Sequence, residues 1–207
     1  MCLSKNRWIS LCLSLDLQPD LSVFNRLQDA YSEPHRAYHT IEHLKECLAH
    51  LDWAIAEHGV PQRALAEMAL WFHDAVYRPR ATDNELQSAN WGRTFLHDAG
   101  LSTAASGTVH ALIMATRHNE PPQDTTQQFV VDIDLSILGA APERFGAYEQ
   151  QIRREYKWVP WFLYKKKRKE VLQHFLSATR IYNTEVFYAT YESQARDNLA
   201  RSIAQLS

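Results

Sequence analysis

The sequence predicts an all-α fold. The chain contains 6 Gly and 8 Pro among 207 residues, too few for the many tight turns of an all-β protein. Apolar residues recur at three- and four-residue steps in several segments, as they do along one face of an α-helix. Hydrophobic residues make up 45% of the chain and charged residues 22%, which is ordinary for a globular protein. We therefore expect a single helical domain over residues 1–207.

Roughly eight helices follow from this spacing and from its breaks. The first extends from Tyr38 to a break near Gly59, and Pro61 suits the start of the second. Asp83 or Asn84 is placed to cap the third, which ends before Gly100. The predicted helices cover, within a few residues, 38–58, 62–74, 84–98, 109–116, 129–139, 142–158, 161–182 and 184–206. The motifs lie in residues 35–140, and we expect the helices of 142–206 to pack on that part.

The segment 129–139 is the ambiguous one. Its apolar run suits either a buried helix or a strand, and its β-branched residues favour a strand. Because no partner strand is visible elsewhere in the sequence, we predict a helix.

The net charge, the cysteines and the hydropathy limit the kinds of partner and the cellular compartment that we expect. The net charge is −2, whereas a nonspecific nucleic-acid binder normally has a basic surplus. The three cysteines have no disulfide or zinc-finger spacing, which fits a reducing compartment. The apolar run at 8–13 is too short for a signal peptide, and no stretch approaches the roughly 20 residues of a membrane span. We expect a cytoplasmic protein without a membrane partner.

His39 and His43 are the first candidates for chemistry. On a helix, residues four apart lie on one face, so the two imidazoles can share a cavity. Both could bind a metal ion, or one could bind the ion while the other transfers protons. A pair of surface histidines is the alternative.

His73 and Asp74 form the second element. They end the segment 64–72, which is apolar nearly all round and is therefore expected to be buried. A carboxylate there is costly unless it is paired or bound to a metal ion. The alternative is a dipeptide that caps a helix end.

Asp132 and Asp134 lie inside the third element, the apolar run 129–139. On a helix they would point about 200° apart, so only one of them would face a given ion. Pairing with a buried arginine is the alternative for either.

The order His43, His73-Asp74 and then a later aspartate resembles the HD superfamily of metal-dependent phosphohydrolases. Tyr38-His39-x-x-x-His43 is similar to a motif of its cyclic nucleotide phosphodiesterase branch, and Asp134-Leu135-Ser136 is similar to the motif around that branch's last ligand. The resemblance implies a compact helical bundle with His43, His73, Asp74 and Asp134 around a divalent ion. It also implies that His39 is the proton donor and that Asp74 takes part in catalysis by bridging to a second ion.

A group of small bacterial predicted HD phosphohydrolases is more similar still, over residues 20–205. The shared motifs are Arg36-x-Tyr38-His39-x-x-x-His43, Phe72-His73-Asp74-x-x-Tyr77, Asn84-Glu85-x-x-Ser88, Thr116-x-His118, Asp132-x-Asp134-Leu135-x-Ile137-Leu138-Gly139, Ile152-Arg153-x-Glu155-Tyr156 and Ile181-Tyr182. The basic run Lys165–Lys169 departs from the group, which more often has a glycine before the arginine. That run is either a solvated helix face or a contact for phosphate or nucleic acid.

Several further residues beside these motifs are candidates for substrate binding or for support of the ligands. Arginine binds phosphate through two parallel hydrogen bonds, and the candidates are Arg36, Arg117 and Arg153, with structural salt bridges as the alternative. Residues that could orient ligands or water are Glu85, His118 and Asp132.

The sequence thus predicts a metal-dependent phosphohydrolase acting on a phosphomonoester or a small nucleotide, which is its small phosphorylated partner. One or two ions of Mn, Fe, Ni, Co, Zn or Mg suit such ligands, and a homo-oligomer is compatible with the sequence. A di-iron oxygenase, with His118 and Asp132 as extra ligands, and a non-catalytic, metal-stabilised binding protein are the alternatives.

Overall fold

The computed structural model describes residues 3–206, and about 70% of the chain is helical. The described residues form ten α-helices and one 3-10 helix and contain no strand, which confirms the all-α prediction. The α-helices are α1 (Lys5–Ser14), α2 (Leu21–Ala30), α3 (Ile41–His58), α4 (Arg63–Phe72), α5 (Asn84–Asp98), α6 (Thr103–Ala115), α7 (Thr125–Asp134), α8 (Pro142–Glu155), α9 (Trp161–Ser177) and α10 (Glu185–Gln205). The 3-10 helix is Leu135–Gly139.

The predicted count of eight missed α1 and α2. Both begin at a capping side chain: Ser4 accepts a hydrogen bond from the backbone N–H of Arg7, and Asp20 accepts one from Ser22. The apolar run 8–13 lies in α1, where Trp8, Leu11 and Cys12 are buried and Leu13 is exposed.

The chain divides into two compact units, one ending at Val131 and the other beginning at Asp132. The boundary falls inside α7, so the last turn of this helix is counted with the second unit. The prediction that residues 1–207 form one domain stays a prediction.

Helix α4 is the centre of the first unit and contacts α1, α3, α5 and α6. Its residues Met68, Leu70, Trp71 and Phe72 are completely buried, as the apolar sequence predicts. The indole of Trp8 packs edge-on against Trp71, with 5.3 Å between ring centroids. Because α4 is surrounded, the residues that directly follow it are held in the interior.

Helix α3 begins three residues later than predicted. Thr40 is its N-cap, and the Thr40 hydroxyl accepts a hydrogen bond from the backbone N–H of Glu42. His39 therefore precedes the helix, and the prediction that His39 and His43 are one turn apart on α3 is wrong. The helix ends at Gly59, whose φ of 69° is a conformation that glycine adopts without strain.

The second unit contains the 3-10 helix and α8–α10. The helix predicted over 129–139 is confirmed, with α7 passing directly into the 3-10 helix. Gly139 ends it against α10: a Cβ at this position would lie 2.6 Å from the Cβ of Tyr191 and 2.8 Å from its carbonyl oxygen. Only glycine allows this close approach of the two elements.

None of the described helices is long and apolar enough to cross a membrane.

Candidate metal centre

Two buried imidazoles from neighbouring helices form the core of the candidate site. His43 lies in the first turn of α3 and His73 directly follows α4. Their side chains are 3% and 1% exposed, and their Nε2 atoms lie 3.1 Å apart. The sequence predicted both residues as ligands, and the packing of α3 on α4 brings them together.

Asp74 places a carboxylate against both imidazoles. Its Oδ2 lies 3.2 Å from Nε2 of His73 and 3.5 Å from Nε2 of His43. Burial alone would raise the pKa of the Asp74 carboxyl. The charges of His73 and His39 and hydrogen bonds from the two buried imidazoles outweigh burial and hold this pKa well below its usual value. Asp74 is thus a carboxylate in the folded protein.

A backbone carbonyl orients the ring of His73. Nδ1 of His73 lies 2.8 Å from the carbonyl oxygen of Leu70, which can only accept a hydrogen bond. Nδ1 therefore carries the proton, and in the neutral ring the lone pair is on Nε2. Metal-binding histidines are commonly held in this way.

Cys47 is the site residue that the sequence analysis missed. It lies one turn after His43 on α3, and its Sγ is 3.7 Å from both ring nitrogens of His43. The thiol is buried, with 1% of the residue exposed. The signal was present as a His-x-x-x-Cys spacing on a helix, but the cysteines were considered only as a set of three.

His43, Cys47 and His73 make up a group of the first unit that could hold a metal ion. Each offers one ligand atom, and the three atoms lie within 4.8 Å of one another. Asp134 is the last residue of α7 and is counted with the second unit. The prediction that Asp134 rather than Asp132 is a ligand stays a prediction.

The donor spacing suits a divalent transition-metal ion. Two nitrogens bound to one ion at about 2.1 Å are separated by about 3.0 Å at a right angle and by about 3.4 Å at the tetrahedral angle. The 3.1 Å between His43 and His73 falls in this range. A thiolate at about 2.3 Å and a nitrogen at about 2.1 Å on a tetrahedral ion are about 3.6 Å apart, close to the 3.7 Å of Cys47 and His43. Mixed nitrogen, sulfur and carboxylate donors fit zinc, cobalt or iron better than magnesium.

His39 lies beside this group. Its ring stacks on Tyr77 at 4.1 Å between centroids, and its centroid is 6.1 Å from that of His43. Tyr38 packs against both histidines, at 5.0 Å from His39 and 4.6 Å from His43. His39 is thus near the candidate ligands although it is not on α3.

The Arg36 side chain forms hydrogen bonds with the backbone next to the site. Its guanidinium donates hydrogen bonds to the carbonyl oxygens of His39 at 3.0 Å, Asp74 at 2.7 Å and Ala75 at 3.2 Å. It also pairs with Glu33 at 3.0 Å. The side chain is fully buried, so these contacts favour a positioning role over a phosphate contact.

The remaining candidates of the first unit lie on its other segments. Glu85 is in the first turn of α5. His118 follows α6 with a left-handed backbone, φ 54°. Arg117 is exposed and lines an open pocket of about 380 Å³, together with His110 and Gln127.

Asp132 is a structural residue of the second unit. Its Oδ1 accepts hydrogen bonds from the backbone N–H and Nδ2 of Asn183, and its Oδ2 accepts from the backbone N–H and Oγ1 of Thr184, all within 2.9 Å. Burial raises the pKa of this carboxyl, and the four hydrogen bonds act against that rise. Asp132 thereby holds the N-cap of α10, a role different from both sequence alternatives.

Arg153 also belongs to the second unit. It donates hydrogen bonds to the carbonyl oxygens of Tyr156 and Val159, at 2.8 and 3.1 Å. These contacts close the turn after α8.

Comparisons with models of protein families, with curated proteins and with solved structures found no match to this chain.

Proposed function

We propose that this protein is a metal-dependent phosphohydrolase of the HD type, acting on a phosphomonoester or a small nucleotide. The buried arrangement of His43, His73 and Asp74, with His39 beside it, supports this function best. Three donors converge there from the start of one helix and the end of another. A divalent ion held by these donors would supply Lewis-acid chemistry, which activates water for attack and polarises a phosphate oxygen.

The residues of the chain divide into ligands and a proton donor. His43 and His73 would supply nitrogen donors, Cys47 a thiolate and Asp74 a carboxylate oxygen. The HD resemblance adds Asp134 as a second carboxylate ligand. An imidazole is suited to hold a proton near neutral pH and to release it to a leaving alkoxide oxygen. His39 fits that task, because it is near the ligands and its ring is held by stacking on Tyr77.

The HD resemblance also accounts for residues outside the ligand set. Ser88, from the Asn84-Glu85-x-x-Ser88 motif, accepts a hydrogen bond at 2.9 Å from the backbone N–H of Val76, two residues after Asp74. The motif thus ties α5 to the segment that carries the metal ligands. Arg36 contacts the same segment through the carbonyl oxygens of Asp74 and Ala75.

A di-iron oxygenase receives less support from the site. It needs further ligands for a second iron, and Asp132 was one of two candidates. Both of its carboxylate oxygens already accept two hydrogen bonds each. Asp132 therefore offers no ligand atom without loss of the cap of α10.

The test is a panel of phosphomonoesters, nucleotides and cyclic nucleotides, each assayed for hydrolysis with Mn²⁺, Fe²⁺, Co²⁺, Zn²⁺, Ni²⁺ and Mg²⁺. Bound metal is measured on the same preparations by elemental analysis. We expect turnover of at least one ester class with at least one ion, and loss of both metal and turnover in His73→Ala. His97→Ala is the matched control, because the His97 side chain is 66% exposed on α5.

Two results would contradict the proposal. Metal binding without turnover of any ester would indicate a metal-stabilised binding protein. Tightly bound iron with oxygen consumption, and no hydrolysis, would indicate the oxygenase.

A further inference from the structure

Large apolar side chains are exposed together where α9 begins. Trp158, Trp161, Phe162 and Leu163 are 47%, 53%, 69% and 43% exposed, and we refer to these four residues as the aromatic tip. Single exposed apolar residues are common on protein surfaces. Four large ones within six positions concentrate exposed apolar area in one short segment, and such concentrations mark interaction sites.

The turn before α9 and the first residue of the helix are held by Arg153. Its guanidinium donates hydrogen bonds to the carbonyl oxygens of Tyr156 and Val159. The same guanidinium lies over the rings of Trp161 and Tyr164, at 5.3 and 4.7 Å from their centroids, and Trp161 stacks on Tyr164 with 5.7 Å between centroids. The backbone that carries the tip is therefore ordered before any partner binds, which lowers the entropy cost of binding.

Positive charge directly follows the aromatic tip. Between Lys157 and Glu170 the sequence has six basic residues and one acidic residue, although the whole chain has a net charge of −2. Arg168 turns inward and pairs with Glu149. Lys166 and Lys167 are exposed, and Lys165 and Lys169 are partly exposed.

The apolar and basic residues of α9 share helix faces. Phe162, Lys166 and Lys169 are four and three residues apart, so they lie along one stripe. At 1.5 Å per residue, these lysines are about 6 and 10 Å along the helix from Phe162. When the start of α9 points end-on into the bilayer, Lys166 and Lys169 lie about 6 and 10 Å further out than Phe162, toward the lipid phosphates.

We propose that the aromatic tip and the Lys165–Lys169 run together form a docking surface for an anionic lipid bilayer. Tryptophan favours the membrane interface, and lysines beside it are attracted to anionic lipid headgroups. A nucleic acid would use the cations and could stack on the rings, but it offers no matching contact for Leu163. Acyl chains match all four residues of the tip, and the anionic headgroups match the lysines.

The experiment is flotation of the full-length protein with vesicles. One set contains phosphatidylcholine alone, and the other contains equal parts of phosphatidylcholine and phosphatidylglycerol. We expect binding to the anionic vesicles only, weakening as salt rises because salt screens the lysine charges.

Two double variants separate the parts of the surface. Lys165→Ala/Lys166→Ala should weaken binding to the anionic vesicles by about 25-fold, at about fivefold per charge. Phe162→Ser/Leu163→Ser should weaken it by at least about tenfold through loss of the buried apolar area. The matched controls are Lys5→Ala and Leu13→Ser on α1, both at exposed positions, and circular dichroism checks the fold of every variant.

Several outcomes would overturn the proposal. These are no binding to either vesicle, equal binding to both, or unchanged binding of the Phe162→Ser/Leu163→Ser variant. Binding to a single-stranded oligonucleotide without binding to vesicles would assign the surface to nucleic acid. Self-association that this variant abolishes, again without vesicle binding, would assign it to a second copy of the chain.

Discussion

Asp132 and Asp134 are two residues apart, and the structure predicts opposite consequences for their replacement by asparagine. Asp132 accepts four hydrogen bonds from Asn183 and Thr184 and is completely buried. Asp134 is one of the metal ligands of the proposed function. Asp132→Asn should therefore destabilise the fold and leave metal affinity unchanged, whereas Asp134→Asn should weaken metal binding.

The loss of stability in Asp132→Asn follows from the hydrogen-bond donors of Asn183 and Thr184 that face the carboxylate. Whichever way the new amide is turned, its NH₂ group faces one pair of donors. The Thr184 hydroxyl or the Asn183 side-chain amide can rotate to accept a hydrogen bond, but one backbone N–H is left unsatisfied. A buried unsatisfied donor costs about 1–3 kcal/mol, and the remaining bonds lose their ionic strengthening. We expect the free energy of unfolding to fall by about 2–4 kcal/mol in total.

Urea unfolding with a chelator present measures the stability of both variants, and calorimetric titration with Zn²⁺ measures their metal affinity. Unchanged stability of Asp132→Asn, or a loss of metal affinity equal to that of Asp134→Asn, would refute the assignment of the two carboxylates.

Three further predictions concern the candidate site. His39→Ala should retain bound metal while turnover falls about 10²–10⁴-fold; an equal loss of metal, measured by elemental analysis, would show that His39 is a ligand. Co²⁺ bound to the wild type should show a thiolate charge-transfer absorption. Cys47→Ser should lack this absorption, whereas Cys12→Ser, which replaces a buried thiol on α1, should retain it. An absorption that persists in Cys47→Ser would exclude the Cys47 thiolate as a ligand. The pKa of Asp74 in the folded protein lies below the unfolded value of 3.8. The ionised carboxyl therefore stabilises the fold above pH 3.8. This stabilisation is lost as the pH falls from 3.8 through the lower pKa of the folded state. In metal-free protein, the difference in free energy of unfolding between the wild type and Asp74→Asn should therefore narrow below pH 3.8, and a difference independent of pH would contradict the lowered pKa.

Helix boundaries were predictable where a local signal defines them. Asp83 and Gly100 flank α5 as expected, but the Asp83 side chain makes no capping hydrogen bond to the helix backbone. The start of α3 was misplaced because Thr40 caps the helix inside a segment whose apolar spacing continues on both sides. Periodicity alone cannot detect such a cap.

The candidate site was predictable to the extent that its residues are ordered along the chain. His43, His73 and Asp74 were identified from their order and from the cost of a carboxylate after an apolar helix. Cys47 was not, because a thiol among apolar residues also suits a core, and only the position of its Sγ near His43 distinguishes the two. For Asp132, the helical angle indicated only that it and Asp134 point apart, and the motif resemblance favoured Asp134 as the ligand. The partners of Asp132 lie some 50 residues later in the sequence, and no local pattern indicates them.

Arg36 makes the two halves of the candidate site depend on one side chain. Its guanidinium donates hydrogen bonds to the carbonyl oxygens of His39, Asp74 and Ala75, so one cation links the segment before α3 to the segment after α4. A replacement at position 36 that cannot reach both segments should therefore disturb the spacing of the donors that follow them, although Arg36 itself offers no ligand atom.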